Sequence, residues 1–168
     1  MSDNGPMALP YVNLLADRDP IVVLRETPGR VAGLLKALSP EAIDRKPLPG
    51  KWSIREILCH LADCEIAWGW RMRQVYASPG TVLQPFDQDE WAKPYESARY
   101  TASVARSTWT ALRQWNVTFL ESLKENERHR KGTHAEHGPL TVWNLAEIAA
   151  GHDLHHLHGL QAMASAAS

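Results

Sequence analysis

Apolar positions recur at helical spacing in four blocks of this chain, and no segment alternates with the period of a strand. The first block has two start signals, Asp19-Pro20 and Thr27-Pro28, each an N-cap residue before a proline. Pro28 therefore either interrupts one helix or begins the main one, whose stripe is Val31, Leu34, Leu35 and Leu38 and which ends near Ser39-Pro40. Ser53 and Glu56 form a capping box ahead of Ile54, Ile57, Leu58, Leu61, Cys64, Trp68 and Met72, predicting a second helix over about 53–77. A third runs from about Glu96 to Asn126 on Val104, Ser107, Leu112, Trp115, Phe119 and Leu123, and Thr141 caps a fourth that reaches about Met163.

The connections set the topology. Residues 78–95 carry three prolines and a glycine without any period, and a loop of that length either crosses over or has work to do. Segments 40–51 and 127–140 are shorter and polar. The expected fold is all-α, a four-helix bundle of up-down-down-up topology with a long crossover between helices two and three. Helix two is then antiparallel to helix four. One domain spans residues 1–168, with 1–18 as an N-terminal extension and 164–168 as a flexible tail.

Composition narrows the function. At 44% hydrophobic and 22% charged residues the chain buries a true core, which excludes a disordered protein. Eighteen basic against nineteen acidic side chains leave no field to hold a phosphate backbone, so nucleic acid is not an expected partner. No run approaches the roughly 18 apolar residues of a membrane span, and Met1 to Asp19 does not read as a signal peptide. Cys59 and Cys64 point in different directions on one helix and should not bridge, which fits a reduced, cytoplasmic protein.

Among eight histidines, two carry the chemistry. His152 and His156 lie one turn apart on the face of the fourth helix formed by Leu145, Ile148, Ala149, Gly159, Leu160 and Met163. Buried ring nitrogens cost about 1–3 kcal/mol each when unsatisfied, and a divalent cation satisfies both at once. A third ligand must come from another helix. His60 lies about 10 Å along helix two, at 1.5 Å per residue, level with the pair if helices two and four are antiparallel. Two structural histidines are the competing reading. His155 sits at the edge of the buried arc and can support the ligands, and His158 faces outward. His129, His134 and His137 belong to the charged connection, where His134 and His137 offer at most a separate surface site.

The strings GKWSIREILCHLADCE, PFDQDEW and GPLTVWNLAEIAAGHDLHHLHGLQ occur in the order and spacing of the DinB-like, or YfiT-like, family of metal-dependent enzymes. The resemblance runs from about Asp19 to the end of helix four. It implies a four-helix bundle, often dimeric, with a divalent metal on His60, His152 and His156. Gln161 arrives later after the last pair than the family pattern places it, which touches the rim of the site and leaves the ligands intact. Members resembling characterised enzymes are thiol-dependent transferases, and others are described as hydrolases.

Three imidazoles leave coordination positions open, as a catalytic site requires. A metal-bound thiol becomes a thiolate nucleophile, or metal-bound water attacks an ester or amide. The first expectation is thus a metal-dependent transferase that activates a low-molecular-weight thiol against an electrophile, with Zn or Ni favoured and Fe or Cu also suited. A hydrolase is the alternative, and a non-catalytic binding protein the third. Asp63 and Asp153 are candidates to orient the ligand rings. Trp52 and the loop residues Phe86, Asp87 and Trp91 are placed at the mouth, where Asp87 is the candidate catalytic residue, either an acid supporting the ligands or a substrate contact; a loop that only covers the bundle end, with Trp91 as its plug, is the competing reading. Trp68, Trp70, Trp109, Trp115 and Trp143 are read as core or dimer contacts, and a homodimer is expected.

Overall fold

In the computed structural model, which describes residues 9–97 and 99–167, four long helices carry the architecture. The first eight residues of the expected N-terminal extension, and Ser168 of the expected tail, lie outside the described residues. In chain order the helices are α1 (Pro20–Leu35), the short α2 (Pro40–Asp44), α3 (Ile54–Ala77), the short α4 (Gln88–Ala92), α5 (Ala102–Ser122), the single turn α6 (Glu125–Arg128) and α7 (Val142–Ser165). Strands β1 (Lys131–His134) and β2 (Gly138–Thr141) lie between α6 and α7.

Residue pairs across the bundle fix the directions. Along α3 and α5 the numbers rise together: Arg55 bonds the Tyr100 carbonyl, Glu65 meets Arg113, and Arg73 meets Asn116. Those helices are parallel. Along α3 and α7 they run oppositely, since Met72 and Val75 pack in one core cluster with Val142 and Leu145 while Ile57 and Leu61 share another with Leu157 and Leu160. Arg25 pairs with Glu121 and Val31 packs with Trp109, so α1 opposes α5. The topology is up-down-down-up, as expected.

Local signals explain the starts. Asp19 accepts from the amides of Ile21 and Val22, and the capping box of Ser53 and Glu56 closes the first turn of α3. Thr141 and Asn144 do the same for α7. Helix α1 is continuous through Pro28. Lacking an N–H, Pro28 leaves the Leu24 carbonyl without its helical donor, and the Arg113 guanidinium supplies one at 2.9 Å.

Three expectations need correction. The connection 127–140 is not strand-free: β1 pairs antiparallel with β2, and Thr133 also bonds Thr81 and Leu83 of the loop after α3. Helix three is shorter than predicted, and its buried face is Ala105, Trp109, Arg113, Asn116, Val117 and Leu120. Val104 and Trp115, assigned to the core by period, are exposed. The buried arc of helix four also loses Gly159, which is exposed.

A polar layer divides the core. One apolar cluster joins Ile21, Val23 and Leu24 to Met72, Val117, Leu120 and Leu145, and the other joins Val31 to Ile57, Leu61, Trp109 and Leu157. Between them each long helix contributes a buried polar group: Thr27, Glu65, Arg113 with Asn116, and Asp153. The guanidinium donates to Glu65 Oε2 at 2.7 and 2.9 Å and to both Asp153 oxygens at 2.5 and 3.0 Å.

Candidate metal centre

His60 projects from the first half of α3 and His152 and His156 from the middle of α7, and antiparallel packing brings the three together. The Nε2 atoms of His60 and His156 each lie 3.1 Å from His152 Nε2. One in-plane lone pair cannot accept two in-line N–H donors, so hydrogen bonding alone satisfies this convergence poorly. Nitrogens bound at 2.0–2.1 Å around a tetrahedral ion stand about 3.3 Å apart, close to the spacing found.

Burial keeps the rings in the neutral form that a cation needs. His60 is 1% and His152 7% exposed, while His156 is half-buried. Desolvation pushes His60 down to about 4 and His156 to about 3, and it holds His152 well below the usual imidazole range.

A cleft reaches the site at His156. Its volume is about 410 Å³, and it is lined by Trp52, Lys51, Ile57, Asp89, His156 and Gly159, among others. Trp52 also packs its ring 4.8 Å from that of His60. A hollow of about 470 Å³ between α1 and α5, lined by Pro28, Val117 and Glu121, is larger but holds no donor cluster among the described residues, so size alone does not locate the chemistry.

Other expected residues fall elsewhere. Asp87 caps α4, accepting from the amides of Asp89 and Glu90, and it is Asp89 that lines the cleft. Phe86 and Trp91 pack on each other edge to face. Asp63 accepts from the Tyr95 hydroxyl at 2.5 Å and Asp153 from Arg113, so neither carboxylate is bonded to a ligand ring. His155 is exposed against Tyr11 and His156, and His158 is exposed. His129 bonds Glu125, and His134, Glu136 and His137 form a partly exposed group on the hairpin.

Two features were missed. Tyr11, at φ 62°, sets its ring 5.6 Å from His152, and its carbonyl lies where a side chain on residue 151 would project, which only glycine permits. Nothing in the sequence around Tyr11 signals this contact. Cys64 Sγ stands 3.4 Å from His60 Nε2. The one-turn rule that pairs His152 with His156 also puts Cys64 on the side of helix two shared with His60, and what it does not supply is the approach of both to His152.

The sequence profile of the DinB superfamily matches residues 24–159, which contain all three histidines. The chain belongs to the DinB superfamily. It is 25% identical over 134 residues to an Oceanobacillus iheyensis protein named "putative metal-dependent hydrolase", covering 80% of this chain and 77% of that one. It is 23% identical over 145 residues to the Bacillus subtilis YfiT protein, named in the same terms, covering 82% and 78%. The solved structure of YfiT, titled as having an unusual four-helix bundle topology, superposes with a TM-score of 0.79 at 20% identity, over 88% of this chain and 85% of that one. This DinB-superfamily chain thus shares the fold, and among its described residues no helix is long and apolar enough to cross a membrane.

Proposed function

We propose that this chain is a metal-dependent hydrolase in which His60, His152 and His156 hold one divalent cation at the floor of the cleft. The convergence of three neutral Nε2 atoms carries the reading, and the names of its superfamily relatives support it. A cation bound there acts as a Lewis acid and lowers the pKa of its water toward neutrality.

The chain's own residues do the rest. His156 faces the cleft while His60 and His152 close the interior side. Trp52 walls the cleft and holds the His60 ring, and Lys51 and Asp89 place a positive and a negative group at its rim to orient a polar substrate. Zinc or nickel suits this donor set first, with iron and copper also compatible. Thiol transfer, the first sequence expectation, uses the same ligands.

The test is metal analysis of the purified chain and of His60→Ala, His152→Ala and His156→Ala, with ester and amide hydrolysis assayed with and without a low-molecular-weight thiol. One ion per chain, lost in each variant, with thiol-independent turnover, is the expected result. Full metal content in all three variants overturns the ligand assignment, and turnover only with thiol and an electrophile replaces hydrolysis by transfer.

A further inference from the structure

The three histidines do not exhaust the donors at this point. Cys64 lies four residues after His60 on the same face of α3, and the donor atoms of His60, Cys64 and His152 all fall within 4.8 Å of one another. We propose that Cys64 is a fourth ligand, binding the same cation through Sγ from the interior side and making the donor set three imidazoles and one thiolate. This rests on the three-histidine reading above.

Distances carry the argument. Around a tetrahedral ion with 2.0–2.1 Å bonds to nitrogen and 2.3 Å to sulfur, donors stand about 3.3 Å (N to N) and about 3.6 Å (N to S) apart. The structure gives 3.1 Å for two of the three nitrogen pairs and 3.4 Å from Sγ to His60 Nε2, with Nδ1 of that ring at 3.7 Å, so joint binding through Nε2 and Sγ requires the His60 ring or the Cys64 side chain to turn toward the ion. One-turn spacing on α3 sets the distance between Cys64 and His60, and the approach of His152 from α7 to within 4.8 Å of both is what that spacing does not supply.

Position excludes the other uses of this thiol. Cys64 is 4% exposed and does not line the cleft, so it is not placed to attack a substrate there. Both cysteines are free, so it is not a disulfide partner. On coordination the S–H bond breaks, the proton leaves to solvent, and a sulfur lone pair forms the bond to the cation, with no change of oxidation state.

The consequence is a preference in metal and in geometry. A thiolate shifts the site toward soft and borderline ions such as zinc and away from magnesium or manganese. Because Cys64 enters from the interior, the cleft side beside His156 stays free for a fifth group, a coordination number that catalytic zinc reaches.

X-ray absorption of the zinc-loaded, unmutated chain tests this without any variant. The expected result is a sulfur scatterer at about 2.3 Å beside the nitrogen shell. Cobalt-loaded protein should show a thiolate-to-metal charge-transfer band in the wild type and in Cys59→Ser, absent in Cys64→Ser. Zinc affinity of Cys64→Ser should fall by at least the roughly 10–100-fold that loss of an outer-shell partner costs. Full zinc content with a shell of nitrogen and oxygen only overturns Cys64 ligation and leaves the three-histidine centre standing. Failure of the wild type to take up any metal overturns both.

Discussion

Replacing Arg113 by Met tests the polar layer on which the centre is built. The guanidinium makes five contacts, two to Glu65, two to Asp153 and one to the Leu24 carbonyl, and the three charged side chains are each no more than 4% exposed. Removing one member of a buried ion pair costs about 3–5 kcal/mol, because the partner charge stays behind unpaired. Here two carboxylates stay behind, and burial already raises Asp153 to about 6 with the arginine in place. The upper part of that range is therefore expected. With a urea m-value of about 2 kcal/mol per M, a loss of about 4 kcal/mol lowers the unfolding midpoint by about 2 M. The triple variant Arg113→Met, Glu65→Gln, Asp153→Asn removes the stranded charges and should be more stable than the single one. Urea unfolding of both metal-free variants is the assay. A single variant within about 1 kcal/mol of wild type, or a triple variant no better than the single, refutes the reasoning.

Gly151→Ala places a Cβ 2.3 Å from the Tyr11 carbonyl oxygen, so the segment at Tyr11 must shift. A loss of about 1–3 kcal/mol is expected, with faster amide exchange at residues 12–15, whereas a gain of about 1 kcal/mol, the value of Ala over Gly in an open helix, would show that the contact is absent. Asp87→Ala should cost about 0.5–2 kcal/mol as a lost N-cap and leave metal content and turnover unchanged, since Asp87 caps α4 and does not line the cleft; loss of turnover in folded, loaded protein would restore it as a catalytic acid. On acidification the unfolded chain takes up protons on its histidines first, because burial holds His60 at about 4 and His156 at about 3 against 6.5. Metal-free stability should therefore fall as pH drops from 6.5 toward 4, with His60 alone contributing about 3 kcal/mol at roughly 1.4 kcal/mol per unit, opposed in part by Asp153, which burial raises to about 6 and which is protonated in the folded chain before the unfolded one; stability that rises on acidification through this range would contradict the burial of the histidines.

Helices with caps and a simple apolar stripe are legible, and so is the convergence of the three histidines proposed as ligands. Ser53 with Glu56 and Thr141 with Asn144 mark the starts of α3 and α7, and periodicity carries His60, His152 and His156 to a common height. Helix α5 was read on the wrong face because its buried stripe passes through Arg113 and Asn116. A polarity pattern sends such residues to solvent, and only partners on other helices, Glu65 and Asp153, make their burial affordable. The hairpin was missed because Gly132 and Gly138-Pro139 read as loop. Gly132 is in fact buried where a Cβ would meet Val75, a contact that appears only once α3 is in place. Asp87 was singled out from a loop that does reach the metal end, but which acid of that loop faces the cleft depends on the α4 turn that Asp87 itself caps.

The polar layer and the metal centre are one construction. Asp153 follows His152 directly on α7, and Glu65 follows Cys64 on α3, so the ion pairs through Arg113 fix the height of the two helices that carry the donors. A slip of α7 by one turn, 5.4 Å, would break the Asp153 pair and separate His152 from His60 together. Apolar side chains alone resist such a slip weakly, since Leu, Ile and Ala repeat along α7 at one-turn spacing and can re-pack. Fixed donor and acceptor positions cannot re-pair at the wrong height. The Leu24 carbonyl, freed by Pro28, extends the same constraint to α1. Buried ion pairs often add little net stability, and in this bundle their position is the stronger reason for them: they set the register on which three imidazoles from two helices meet. Loosened metal binding should therefore accompany the loss of stability in Arg113→Met, although Arg113 touches none of the three histidines proposed as ligands.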